Sequence, residues 1–241
     1  MPRLHIGTSG FASPALRSNL SAPTGAAPDL LAAYASRFDC VEMDSTFQRP
    51  PTPETVRTWD EATPDHFGFS VRVPKPLTHG DELSDPSRVS ELVGVLRELG
   101  DGVRCLLFTL PPTLDCDPER VSGVLDAVPD GLPTAWEFRN PAGPCPEVCE
   151  LIASRGGTAV VVDNLDGTSG TEYLTGSKWE FPCCYVRFRR ESYSIADLMH
   201  WGGVLGAAAA EGRDVFAFFR QSLEAPSYVL ALSELLQESA P

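Results

Sequence analysis

The sequence predicts an α/β fold, a (β/α)8 barrel of the TIM type. Three observations predict it: eight short apolar runs, helical patterns between them, and polar residues gathered at the carboxyl ends of the runs. The candidate strands are 4–8, 40–47, 67–73, 104–110, 134–138, 158–162, 183–188 and 215–219. They are rich in Val, Phe and Leu and too short for ordinary helices. The clearest helix starts at Asp85-Pro86, where an N-cap Asp precedes a Pro suited to the first helical position. Its Val89, Leu92, Val93 and Leu96 follow the i, i+3, i+4, i+7 rule. A second helix begins at Asp117-Pro118 with Val121, Val124 and Leu125, and a third near Pro226 with Val229, Leu232, Leu235 and Leu236. Weaker helical patterns cover 29–37, 53–61, 146–154 and 195–211. The sixth helix is short or replaced by a loop, because 164–178 is rich in Gly, Ser and Thr. Alternating strands and helices imply parallel pairing through right-handed crossovers. Eight units of roughly 30 residues each match a barrel repeat. We read residues 1–241 as a single domain. The competing doubly wound sheet would carry a Gly-rich phosphate loop after its first strand, and Gly7-Thr8-Ser9-Gly10 is not GxGxxG.

Composition narrows the function classes. The 241 residues are 42% hydrophobic and 22% charged, enough apolar material for a sizeable core. The net charge of −14 repels nucleic-acid phosphates and anionic membranes at long range, so neither is an expected partner. Seven cysteines, at 40, 105, 116, 145, 149, 183 and 184, are odd in number and have no CxxC spacing. A disulfide framework or structural zinc site is not expected, and free thiols fit a reducing compartment. No signal-peptide core opens the sequence and no apolar run reaches the length of a membrane span, so the expected location is the cytoplasm. Nothing in the sequence speaks to oligomeric state.

Strand side chains alternate, so residues two apart share a face. This puts Glu42 with Asp44, Ser70 with Arg72, Glu137 with Arg139, and Arg187 with Arg189, opposite apolar partners such as Val41 and Met43. Asp163 follows the sixth run. If the apolar faces meet the helices, the polar faces point into the barrel near its carboxyl end, where active sites of this fold sit. Charges there must be paired or hydrogen-bonded. Two readings are open: an ion-pair network that fills the mouth, or a polar substrate pocket.

The ordered motifs identify a family resemblance. They are Ile6-Gly7-Thr8-Ser9-Gly10, Val41-Glu42-Met43-Asp44-Ser45-Thr46-Phe47, Pro51, Pro53-Glu54-Thr55-Val56 and Trp59. After them come 67–75 with Thr78-His79, Leu110-Pro111-Pro112, Trp136-Glu137-Phe138-Arg139 and Tyr185-Val186-Arg187-Phe188. Together they resemble the domain of unknown function 72 (DUF72) group, the YecE-like proteins, over nearly the whole chain. The resemblance implies a TIM barrel and no known reaction. By position, it maps polar residues onto Glu42, Ser45, Thr46, Arg72, Lys75, His79, Glu137, Arg139, Asp163, Arg187 and Tyr193. The chain departs from the family pattern at Phe11-Ala12-Ser13-Pro14, Asp44, Gln48, Thr109, Arg189-Arg190 and Arg220-Gln221. These changes fall on the rim more than on the inner shell.

The expected function is acid–base chemistry on a small polar anion, such as a phosphorylated or carboxylated sugar-like metabolite, at the carboxyl-terminal face. The reaction class is open among hydrolase, lyase and isomerase types. The expected catalytic residues are Glu42 and Glu137, as a carboxylate pair with separated pKa values, together with His79 and Lys75 from the loop after the third strand. The expected substrate-binding residues are Ser45, Arg72, Arg139, Asp163, Arg187 and Tyr193, with Arg139 and Arg187 as bidentate clamps. Arg189, Arg190, Arg220 and Gln221 form a rim where barrels often bind phosphate. No organic cofactor is indicated. Glu42, His79, Glu137 and Asp163 are hard or borderline ligands for a divalent metal. No HExxH supports that role and the arginines oppose it, so a metal is not favoured. The alternatives are a metal-dependent phosphodiester or nucleic-acid hydrolase, and a non-catalytic binding protein on a barrel scaffold. The loop 164–178 is a candidate lid.

Overall fold

The computed structural model describes residues 2–18, 20, 25–79, 83, 85–114, 117–174 and 179–238. Eight parallel strands form a nearly closed barrel: β1 (Leu4–Thr8), β2 (Cys40–Met43), β3 (Gly68–Arg72), β4 (Val103–Leu110), β5 (Thr134–Phe138), β6 (Thr158–Asn164), β8 (Cys183–Phe188) and β9 (Asp214–Phe219). A ninth, β7 (Gly167–Ser169), folds back antiparallel onto β6. The helices are α1 (Pro14–Arg17), α2 (Ala27–Ala35), α3 (Pro53–Ala62), α4 (Lys75–Thr78), α5 (Pro86–Leu96), α6 (Pro118–Asp126), α7 (Pro146–Ser154), α8 (Ile195–Ala210) and α9 (Ala225–Glu238). Asp85 and Asp117 cap α5 and α6 as the sequence predicts, each accepting a backbone N–H two residues on. The six described cysteines are free thiols, and Cys116 lies outside the described residues.

One expectation changes, and a second is met in a more ordered form. The second strand ends at Met43, and Asp44–Phe47 is a 3-10 turn. The Thr46 hydroxyl reaches the carbonyls of both Met43 and Arg72 at 2.5 Å, folding the chain over the end of β3. The sixth helix is replaced as expected, by structure rather than by open loop. β6 turns through Leu165 and Asp166 into β7, and a 3-10 turn at Thr171–Tyr173 follows. Residues 175–178 of that segment lie outside the described residues.

Two apolar layers result from strand alternation. Outward residues such as Val41, Met43, Val71, Phe108, Trp136 and Val186 pack against the helices. Inward residues Cys40, Cys105, Leu107, Ala135, Val160, Cys183, Tyr185, Phe216 and Phe218 fill the barrel. Among the described residues these side chains form a packed core.

The seam between β1 and β2 closes the barrel with little ladder. One isolated parallel bridge joins Ser9 to Glu42, and the Gly10 N–H donates to the Glu42 carbonyl at 2.7 Å. Below it, Tyr34 of α2 inserts its hydroxyl between the strands. That hydroxyl accepts from the Thr8 N–H at 2.9 Å and donates to the Cys40 carbonyl at 3.1 Å. Gly7 makes room, since a Cβ there would sit 2.1 Å from the Cys40 oxygen. Tyr34→Phe leaves two buried backbone groups without this partner. It should lower stability by about 1–3 kcal/mol, read as a reduced urea midpoint; an unchanged midpoint would refute the bridging role.

Candidate functional site

Along five strands the inward positions turn polar at the carboxyl end. Cys40 is followed by Glu42, Ser70 by Arg72, Leu107 by Thr109, Ala135 by Glu137, and Tyr185 by Arg187. Glu42 is fully buried. Its Oε1 accepts from Arg187 Nη2 at 2.7 Å and Arg189 Nη2 at 3.1 Å. Its Oε2 accepts from Arg187 Nε at 3.0 Å and the Tyr185 hydroxyl at 2.8 Å. Arg187 therefore grips Glu42 side-on with two nitrogens. Its third nitrogen, Nη1, donates to Glu137 Oε2, and Arg139 Nε donates to Glu137 Oε1 at 2.7 Å. Beside this pair, Arg72 Nη1 donates to Asp44 Oδ1 at 2.6 Å and Arg72 Nε to Thr109 Oγ1 at 3.1 Å, with the guanidinium 3.6 Å from the centre of the Phe47 ring. Arg189 Nη1 donates to Ser9 Oγ at 2.7 Å.

The electrostatics follow from these contacts. Burial alone would raise the Glu42 carboxyl, but Arg187 and Arg189 outweigh it and hold the group well below its ordinary value. Glu137 behaves alike: burial opposes ionisation, yet Arg187 and Arg139 bring it from 4.5 to about 2. Burial raises the Tyr185 phenol and Glu42 raises it further, so it stays a donor. Burial and then Arg187 push Arg189 down. His79, at the end of α4, is also pushed down, by burial first and then by Lys75, Arg139 and Arg72. Its Nδ1 lies 3.0 Å from the Thr78 hydroxyl, and its ring meets Phe47 edge-on.

A cleft of about 520 Å³ opens beside this network. Glu137, Arg139, Arg187 and Arg189 line its charged wall, with Val160 and Val162 below and Ser169 and Gly170 of the β6–β7 segment at its edge. The candidate lid thus borders the cleft. Arg139 is 45% exposed there, with one nitrogen on Glu137. Among the described residues, no group of three or more His, Cys, Asp or Glu side chains is placed to hold a metal ion.

Residues 5–241 match the family model described as protein of unknown function DUF72. The chain belongs to the DUF72 family. It is 28% identical over 149 residues to the UPF0759 protein YunF of Bacillus subtilis, covering 57% of this chain and 51% of that one. It is 30% identical over 115 residues to the UPF0759 protein YecE of Escherichia coli K12, covering 46% and 42%. The matches therefore span about half, or less, of the length of these relatives. DUF72 family proteins of Thermotoga maritima and Enterococcus faecalis share the fold. The first has a TM-score of 0.77 at 21% identity over 98% of this chain and 99% of that one. The second has a TM-score of 0.72 at 18% identity over 98% of both.

In this DUF72 barrel the structure brings together Glu42, Arg72, Glu137, Arg139 and Arg187. Lys75 is exposed on the first turn of α4, near His79 at the mouth's edge, and Ser45 is exposed on the 3-10 turn. Two expected substrate-binding residues lie elsewhere. Asp163 pairs in register with Phe188, on the face of β6 that meets the helices. Its carboxylate accepts from Arg190 Nη2 at 2.8 Å, Thr168 Oγ1 at 2.8 Å and Trp201 Nε1 at 3.3 Å. Tyr193 packs outside the barrel on Phe188, Phe219 and Tyr228, its hydroxyl 3.4 Å from the Asp163 carbonyl. Arg190 ends on Asp163 and Asp197 and lies over the Tyr193 ring, so it anchors α8 and does not serve the rim. The separated pKa values expected for Glu42 and Glu137 are also absent, because arginines hold both carboxylates low. Sequence reasoning missed Tyr185, Thr109 and Ser9 as partners and left Arg189 on the rim. The parity that selected Arg187 also selects Tyr185 and Arg189.

Removing Arg187 leaves two buried carboxylates without their shared cation. Arg187→Met should cost about 3–5 kcal/mol at pH 7. The deficit should shrink at pH 5, because the loss of Arg187 lets burial raise both carboxyls, and a raised carboxyl regains stability on protonation. Urea unfolding at both pH values checks this, and a pH-independent deficit would contradict it. Asp163→Asn should lower stability by about 1–3 kcal/mol, read as a reduced urea midpoint; an unchanged midpoint would contradict its anchoring role.

Proposed function

We propose that the mouth of this barrel binds a small polar anion and performs acid–base chemistry on it. The substrate class is a phosphorylated or carboxylated sugar-like metabolite. One observation carries the reading: four guanidiniums, of Arg72, Arg139, Arg187 and Arg189, face three carboxylates, of Glu42, Asp44 and Glu137. The mouth holds a positive surplus on a chain of net charge −14, and Lys75 adds to it at the edge. An anion settling between Arg139 and Arg189 would complete the neutralisation and use donors that the protein leaves over. A plug made only to fill the mouth would have no need of that surplus.

Roles divide accordingly. Glu42 and Glu137 are ionised counter-ions that orient the arginines, which makes them weak bases and poor proton donors near neutral pH. His79, held neutral by burial and its cationic neighbours, is the group suited to exchange a proton. Lys75 attracts the substrate's charge, and Ser45 offers a hydroxyl at the edge. The metal-dependent hydrolase reading has less support, since the acids it needs are already spent on arginines.

A thermal-shift screen with sugar phosphates and sugar acids tests the reading. A ligand at about 100 times its Kd adds about 2.7 kcal/mol, which for a domain of this size raises Tm by roughly 5–10 °C. Arg139→Met should abolish the shift. His79→Gln should keep the shift and lose turnover of the same compound. No stabilising anion in the panel, or a shift that survives Arg139→Met, would overturn it.

A further inference from the structure

The opposite end of the barrel holds a second cavity, of about 710 Å³. It lies at the amino ends of the strands, among residues that open β1, β4 and β9. Arg3, Arg97 and Arg104 line it, with His5 and Phe216 as its inner wall. The arginines here differ from those of the mouth. Arg72, Arg139, Arg187 and Arg189 each end on a carboxylate, whereas among the described residues none lies within ion-pair distance of Arg3, Arg97 or Arg104. Arg104 gives one hydrogen bond, from Nη2 to the His66 carbonyl at 3.3 Å, while its Nε is buried with no acceptor. Arg104 therefore lines the cavity with a guanidinium whose charge no described carboxylate takes up.

Three carboxylates also line the cavity. Asp101 and Asp130 are exposed at its rim. Asp214 is half-buried and already accepts the Arg3 backbone N–H at 2.7 Å. The deepest group is His5, 9% exposed and stacked on Phe216 with ring centres 4.6 Å apart. The charged groups acting on it are Arg104 and Arg3, and opposing them Asp214. Burial first, and Arg104 next, lower the imidazole to about 4, so a neutral ring faces the cavity near pH 7. A guanidinium without a carboxylate partner, a second one at the rim and a neutral imidazole that both act on form a cradle for an oxyanion.

We propose that this amino-terminal cavity is a second ligand site, which takes a phosphate-like or sulfate-like oxyanion on Arg104 and Arg3 beside His5. The site is independent of the chemistry proposed for the mouth. Because an anion there favours the protonated imidazole, binding also draws a proton onto His5.

Sulfate is a suitable probe, since it stays dianionic from pH 4 to 8. The chain has four histidines, so the His5 ring signal in an NMR spectrum is assigned by comparison with His5→Gln. Sulfate, against sodium chloride at equal ionic strength, should shift the His5 signal saturably and raise its titration midpoint above about 4. Arg104→Met, which keeps the side-chain stem, should abolish both effects. Arg3→Gln, an exposed change that keeps the backbone N–H, should weaken binding about tenfold. Arg139→Met, at the mouth, should change neither. No His5 response beyond the chloride control, or a response retained in Arg104→Met, overturns the proposal. If Arg104→Met does not fold, an undiminished response in Arg3→Gln overturns it.

Discussion

The interaction on which the mouth depends is the grip of Arg187 on Glu42 and Glu137. One guanidinium offers three nitrogens to two buried carboxylates, with Tyr185 and Arg189 completing the coordination of Glu42. Charges of this kind are tolerated away from water only when each lone pair has a donor. That requirement fixes what surrounds them. Tyr185 must stay protonated to donate, Ser9 must hold the far side of Arg189, and β1 must approach β2 closely enough to bring Ser9 to Glu42. Gly7 and the inserted Tyr34 hydroxyl make that approach possible. Seam and mouth are one construction.

Much of this was legible in the sequence because strand alternation carries position. The parity that puts Val41 and Met43 against the helices places Glu42 inside, and the same holds for Glu137 and Arg187. The failures have physical causes. β6 is apolar on both faces, so nothing in 158–162 reveals which side Asp163 takes. The answer lies in Arg190 and Trp201, which reach it from later in the chain. The strand at Cys40 was read too long because the turn at Asp44 depends on Thr46 finding the carbonyl of Arg72, a tertiary contact. The hairpin after β6 did leave a signal, Asp166-Gly167, inside a segment otherwise read as loop.

The two ends of the barrel are joined by a packed axis. His5 stacks on Phe216, Phe216 stacks on Tyr185 with ring centres 5.7 Å apart, and Tyr185 donates to Glu42. The arginines at the two ends stand in different conditions. At the mouth they are bound to the protein's own acids and exceed them by one. At the amino-terminal cavity none of the described carboxylates lies within ion-pair distance of them.

The central claim is that Glu42 and Glu137 are permanent counter-ions of Arg187 and not an acid and a base of separated pKa. The direct measurement is a carboxyl carbon-13 NMR titration of the two glutamates. Both should remain predominantly ionised above pH 3, with Glu137 half-protonated only at about pH 2. A carboxyl at either position that titrates between pH 5 and 7 would contradict the account and return the pair to the role of proton-transfer groups.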